Sequence, residues 1–139
     1  MKRHYTLDCP YEYDFEVLAI NSHSKPYKLC WVLNKVLGLN LEITDNHTIN
    51  ETLFFTRYKH KKKGGCTFNL LVNRSKKGYM IPSNKSVNYF LIIDKKNCRI
   101  KKQEFLHNLK AINDILLAFK FDLDNEKNSD RFIIHDKKN

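Results

Sequence analysis

The run Val87–Ile93 (VNYFLII) constrains this chain more than any other. Apart from Asn88 it is apolar at every position. A short apolar run bounded by turn residues is the pattern of a strand covered on both faces. Such a strand belongs in the middle of a sheet, with neighbours on either side and packing above and below. Ile81-Pro82, followed by Ser83, Asn84 and Ser86, reads as the turn that feeds it.

The rest of the chain supplies the neighbours. Phe15–Ile20 reads as a strand. Ser24 then offers an N-cap oxygen, and Pro26 stands in a first helical turn, where its missing donor costs nothing. Tyr27, Cys30, Trp31, Asn34 and Leu37 fall on one helical stripe, which Leu29, Leu33 and Val36 widen; Gly38 supplies the left-handed stop. Leu39–Thr44 alternates as a half-exposed strand, with Leu39, Leu41 and Ile43 on one side. Asp45–Glu51 reads as a loop. Leu53–Tyr58 and Thr67–Asn73 flank the lysine- and glycine-bearing segment Lys59–Gly65, the pattern of an antiparallel hairpin with a basic tip. Arg74–Gly78 is a second basic turn, and Asp94–Asn97 is a turn after the central strand. Gln103–Ile112 reads as a second amphipathic helix, Ile115–Leu123 as a long strand, Phe132–Ile134 as a last edge strand, and the residues from about 135 as a tail. The expected fold is α+β: one domain over residues 1–139, a mostly antiparallel sheet of five to six strands, and two helices on one face.

Charge is placed unevenly along this chain. Residues Thr52–Asn113 hold fifteen Lys and Arg against two acids, Asp94 and Glu104, so the whole net charge of +10 belongs to the middle. An asymmetry of that size points to an anionic partner. The four cysteines, Cys9, Cys30, Cys66 and Cys98, form no CxxC or CxxH pair, and Met1-Lys-Arg-His is followed by polar residues rather than an apolar run. The expectation is therefore a cytoplasmic protein with four free thiols and no membrane partner. Cys66, beside the basic tip, is the one thiol whose surroundings favour a thiolate.

The candidate nucleic-acid contacts are Arg57, Lys59, Lys61, Lys62, Lys63, Arg74, Lys76 and Lys77, interleaved with Tyr58, Phe68 and Tyr79. Cations beside aromatic rings suit single-stranded nucleic acid, through phosphate neutralisation and base stacking. Lengths of strand separate the two groups of cations, so they form one patch only if the fold folds them together. Asn34 interrupts an apolar stripe, and a hydrogen bond from it to nearby backbone would fix the helix to the sheet. No HExxH, GxSxG, GxGxxG or P-loop pattern occurs, so no metal, cofactor or catalytic residue is assigned. The leading expectation is a non-catalytic binder of RNA or other nucleic acid. The rival is a module that binds an acidic protein surface or adds a strand, and a third reading is an enzyme on a small anion, gathering Arg57, Arg74 and Asn34.

Ile81-Pro82, then Val87-Asn88-Tyr89, resembles the signature of the small bacterial family named IPExxxVDY. Tyr27–Trp31, Leu33–Lys35, Arg57-Tyr58 and Asn73–Ser75 extend the resemblance over most of the chain. It implies no activity. The signature glutamate is Ser83 here and its aspartate is Asn88, so a pair of carboxylates working there would be missing. Ile81, Pro82, Val87, Asn88 and Tyr89 are therefore expected to serve architecture.

Overall fold

A computed structural model of the chain describes residues 13–60, 66–94 and 98–135. The elements in order are β1 (Phe15–Asn21), α1 (Pro26–Leu37), β2 (Leu41–Ile43), β3 (His47–Thr48), β4 (Phe54–Phe55), β5 (Arg57–His60), β6 (Phe68–Val72), β7 (Arg74–Ser75), β8 (Gly78–Tyr79), β9 (Tyr89–Asp94), α2 (Lys102–Lys110) and β10 (Leu117–Lys120). Six strands form one antiparallel sheet in the order β10-β1-β9-β6-β5-β2, and β3–β4 and β7–β8 form two small ribbons. The α+β expectation holds, with both helices on one face. The central strand begins two residues later than expected, at Tyr89, and lies between β1 and β6.

The alternation along β9 divides the molecule into two cores. Tyr89, Leu91 and Ile93 pack with Leu18, Ile20, Phe68 and Leu70 beneath Leu29, Cys30 and Leu33 of α1 and Leu109 of α2. Phe90 and Ile92 point the other way, with Val17, Ala19 and Leu71. No α-helix covers that second face among the described residues. It is closed by Phe55, by Met80, Ile81 and Val87 of the turn, and by Phe121 and Phe132 of the C-terminal segment. Phe90, Phe121 and Phe132 meet edge to face, with ring centroids 4.9–5.8 Å apart. The C-terminal segment turns through two 3₁₀ helices, Leu123–Asn125 and Ser129–Phe132, and the edge strand expected at Phe132–Ile134 does not form. The strand expected over Ile115–Leu123 shortens to β10.

One buried asparagine holds the turn before β9. Asn73 has no exposed surface. Its amide nitrogen donates to the carbonyls of Asn84 (3.0 Å) and Val87 (2.8 Å), and its side-chain oxygen accepts from the Ile81 N–H (3.1 Å). Its own backbone N–H donates to the Asn88 carbonyl, and its carbonyl accepts from the Met80 N–H. Asn88 in turn accepts the Ser22 N–H at 2.9 Å, which ties the start of β9 to the end of β1. The Ile81 N–H and the Asn88 side chain thus both take part in the hydrogen bonds that hold this turn and the start of β9. Arg131 adds a clamp, donating to the carbonyls of Tyr79 and Met80.

Helix α1 ends where Gly38 takes φ 70°. Its start differs from expectation. Lys25 is the N-cap and no side chain caps the first turn. The Ser24 hydroxyl instead donates to the Asp114 carboxylate at 2.6 Å. The buried stripe is also rotated: Leu29, Cys30, Val32 and Leu33 face the sheet, while Tyr27, Trp31 and Val36 are more than half exposed. Ile43 likewise points to solvent. Asn34 does bond backbone, as expected: it donates to the Leu41 carbonyl (3.2 Å) and accepts the Leu41 N–H (2.8 Å). Within β2 and its continuation, Glu42 and Thr44 turn their main-chain groups toward β5, the Thr44 N–H donating to the Arg57 carbonyl. The main-chain groups of Leu41 therefore face outward, where Asn34 meets them, while its side chain stays buried.

The expectation of four free thiols is overturned. Cys66 and Cys98 form a disulfide, with their Cα atoms 4.4 Å apart. The cause is the pairing of β6 with β9, in which Phe68 stands opposite Ile93, so the chain before β6 meets the chain after β9. Cys66 is therefore not a thiolate. Cys30 is free and buried, and burial pushes its thiol up to about 12. Cys9 lies outside the described residues, as does the turn at 95–97. No helix among the described residues is long and apolar enough to cross a membrane.

Candidate functional site

A concavity opens at the start of α1. It is a cleft of about 400 Å³ between the β1–α1 connection, the β7–β8 ribbon and the entry to β9. Ser22, His23, Ser24, Lys25 and Pro26 form one wall. Val72, Arg74 and Tyr79 form the second, and Lys85, Val87, Asn88 and Tyr89 close the third. No carboxylate is among these lining residues. Three basic side chains (Lys25, Arg74, Lys85) and one histidine (His23) converge from three separate segments.

Local structure explains how they meet. Asn73 pins the 81–87 turn, so Lys85 is held beside the ribbon that Arg74 and Tyr79 form. The Lys85 ammonium sits over the Tyr79 ring, 5.5 Å from its centroid. Asn88 fixes Ser22, and the Tyr89 hydroxyl donates to the Ser24 carbonyl at 2.6 Å, so the β1–α1 connection is held at both ends. Burial pushes the Tyr89 hydroxyl up to about 12, which keeps it a hydrogen-bond donor at neutral pH. Asp114 stands next to the cleft. It accepts from Ser24 and lies 3.8 Å from the Lys28 ammonium, so its charge is already engaged.

The cations named from the sequence separate into different places. Arg74 lines the cleft, and Lys76 and Lys77 lie exposed at the tip of the same ribbon. Arg57 is buried under the face without an α-helix, where its Nε donates to Asn69 at 2.8 Å. Lys59 is half-buried on β5, opposite Asn69. Lys61, Lys62 and Lys63 lie outside the described residues. The β5–β6 register confirms the antiparallel hairpin and puts its connection at the opposite end of β6 from Arg74. At ~3.3 Å per residue, the five residues of β6 alone separate the ends by roughly 16 Å. The enzyme constellation is not assembled either: Arg57 and Asn34 are bonded elsewhere, and neither lines the cleft with Arg74.

Sequence reasoning missed Lys25, Lys85 and His23. The missed signal was the proline turn itself: a turn pinned beside a basic ribbon brings its own lysine to that ribbon. No protein-family model matches the chain, and neither does any curated protein.

Proposed function

We propose that the protein binds RNA or another single-stranded nucleic acid through its phosphates, at the cleft and the adjoining Arg74–Lys77 ribbon. The observation that carries this reading is the convergence of Lys25, Arg74, Lys85 and His23 on one concave surface whose lining has no carboxylate. Fixed cations around a cleft release counterions from a phosphate chain, and this term supplies most sequence-independent affinity. Lys76 and Lys77 extend the positive surface beyond the cleft. On this reading the protein works in the cytoplasm, a compartment that would tend to open the Cys66–Cys98 bond. The proposed kinship with the IPExxxVDY family concerns the pinned turn and not this activity.

The test is fluorescence anisotropy of a labelled oligoribonucleotide at several salt concentrations. Each phosphate contact removed should lower the slope of log K against log salt by about 0.7. The R74A/K85A double variant is expected to bind more weakly and with a shallower slope. Absence of binding at about 50 mM salt would overturn the proposal. Equal binding of an acidic polypeptide, with the same dependence on Arg74 and Lys85, would replace nucleic acid with a protein partner.

A further inference from the structure

The outward stripe of α1 is unusual for a surface helix. Tyr27 is 71% exposed and Trp31 60% exposed, one helical turn apart. Side chains at i and i+4 lie on one face, here about 6 Å apart along the axis at 1.5 Å per residue. Lys35 continues the stripe, its ammonium 4.9 Å from the Trp31 ring centroid, and Lys28 flanks it. The helix contains no acidic residue. Pro26, the residue before Tyr27, lines the cationic cleft, so the stripe begins one residue from the cleft wall.

We infer that Tyr27 and Trp31 are stacking platforms for the bases of a single-stranded nucleic acid whose phosphates run into the cleft. This rests on the reading proposed above and adds to it the path of the chain. Two features select this occupant. The first is charge complementarity: Lys35 lies against the Trp31 ring on a helix without a carboxylate, while Lys28 beside them is paired with Asp114. The second is continuity with the cleft. Aromatic rings offer every base a π-face, so the track accepts sequence broadly, and a duplex, whose bases are already stacked, gains nothing from it.

Trp31 is the only tryptophan in the chain and reports on its own surface. The experiment titrates the full-length protein with a short oligoadenylate of about 12 nucleotides, following Trp31 emission and, separately, anisotropy of the labelled oligomer. Saturable quenching is expected. W31A should weaken binding about tenfold or more without changing the salt slope, and W31F should retain most of the affinity. Trp31 is exposed, so the variants keep the fold; a urea midpoint matching the wild type verifies this. Salt-dependent binding with unchanged Trp31 emission and wild-type affinity in W31A overturns the stacking inference and leaves the cleft reading standing. Absence of any binding overturns both. Quenching by polyglutamate but not by the oligomer, or by self-association that W31A abolishes, assigns the stripe to another occupant and also overturns the inference.

Discussion

Replacing Asn73 with alanine should damage this fold more than its size implies. The carboxamide is fully buried and makes three hydrogen bonds, to the Asn84 and Val87 carbonyls and from the Ile81 N–H. Alanine strands all three partners. Two of the bonds, to Val87 and from Ile81, lie in buried surroundings, while the one to Asn84 is only partly buried and water can replace it. A buried group left without a partner costs about 1–3 kcal/mol, so two of them plus a smaller third loss come to roughly 3–5 kcal/mol. Against a total stability of about 5–15 kcal/mol for a domain, that is a large share. Asn73→Asp separates hydrogen bonding from volume. It keeps the acceptor for Ile81 but turns a second acceptor toward two carbonyls, so at neutral pH it should lose as much as alanine does. Urea unfolding followed by far-UV circular dichroism measures both. A loss below about 1 kcal/mol for N73A, at unchanged m-value, would refute the claim that this side chain pins the turn. Wild-type stability in N73D would refute the donor assignment.

Two further outcomes follow from other features. The Cys66–Cys98 bond closes a loop of 32 residues, so its removal in C66S/C98S should cost up to about 4 kcal/mol by loop entropy; urea midpoints with and without reductant check this, and coincident midpoints would contradict it. Burial lowers the pKa of His47, with Arg57 and His135 nearby adding to the effect, while its Nε2–H donates to the Arg131 carbonyl. A folded-state pKa below the unfolded value of about 6.5 means the unfolded chain takes up the proton first. Stability should then be complete above pH ~6.5 and decline as pH falls below it, and the decline should be shallower in H47Q. Parallel profiles for wild type and H47Q would contradict the assignment.

Much of the fold was legible because its signals were local. The apolar run around Asn88 pointed to a mid-sheet strand, Gly38 marked the end of α1, and Asn34 on an apolar stripe pointed to a bond with backbone. Other features depended on contacts distant in sequence. Eight of the twelve residues of α1 are apolar, so two stripes competed on the same helix. Periodicity could not show that Leu29, Cys30 and Leu33 would take the sheet and leave Tyr27 and Trp31 outside. The disulfide required the β6–β9 register, which neither cysteine's neighbours encode. Arg57 looked like a surface cation until Asn69, opposite Lys59 on the paired strand, supplied an acceptor beneath the face without an α-helix. The second core was hidden for a related reason: its cover is irregular chain, which has no period to detect. The site was legible only in part, with Arg74, Lys76 and Lys77 visible and Lys25, His23 and Lys85 brought in by the turn.

A carboxamide is a peptide group without a backbone, and Asn34 uses it that way. By bonding both the N–H and the carbonyl of Leu41, it stands where one residue of a seventh strand would stand. On a three-residue edge strand this leaves Ile43 as the only other outward-facing position. At the opposite edge of the sheet, Leu116 and Leu117 are exposed beside and on β10. A strand added alongside β2 would first have to displace that asparagine.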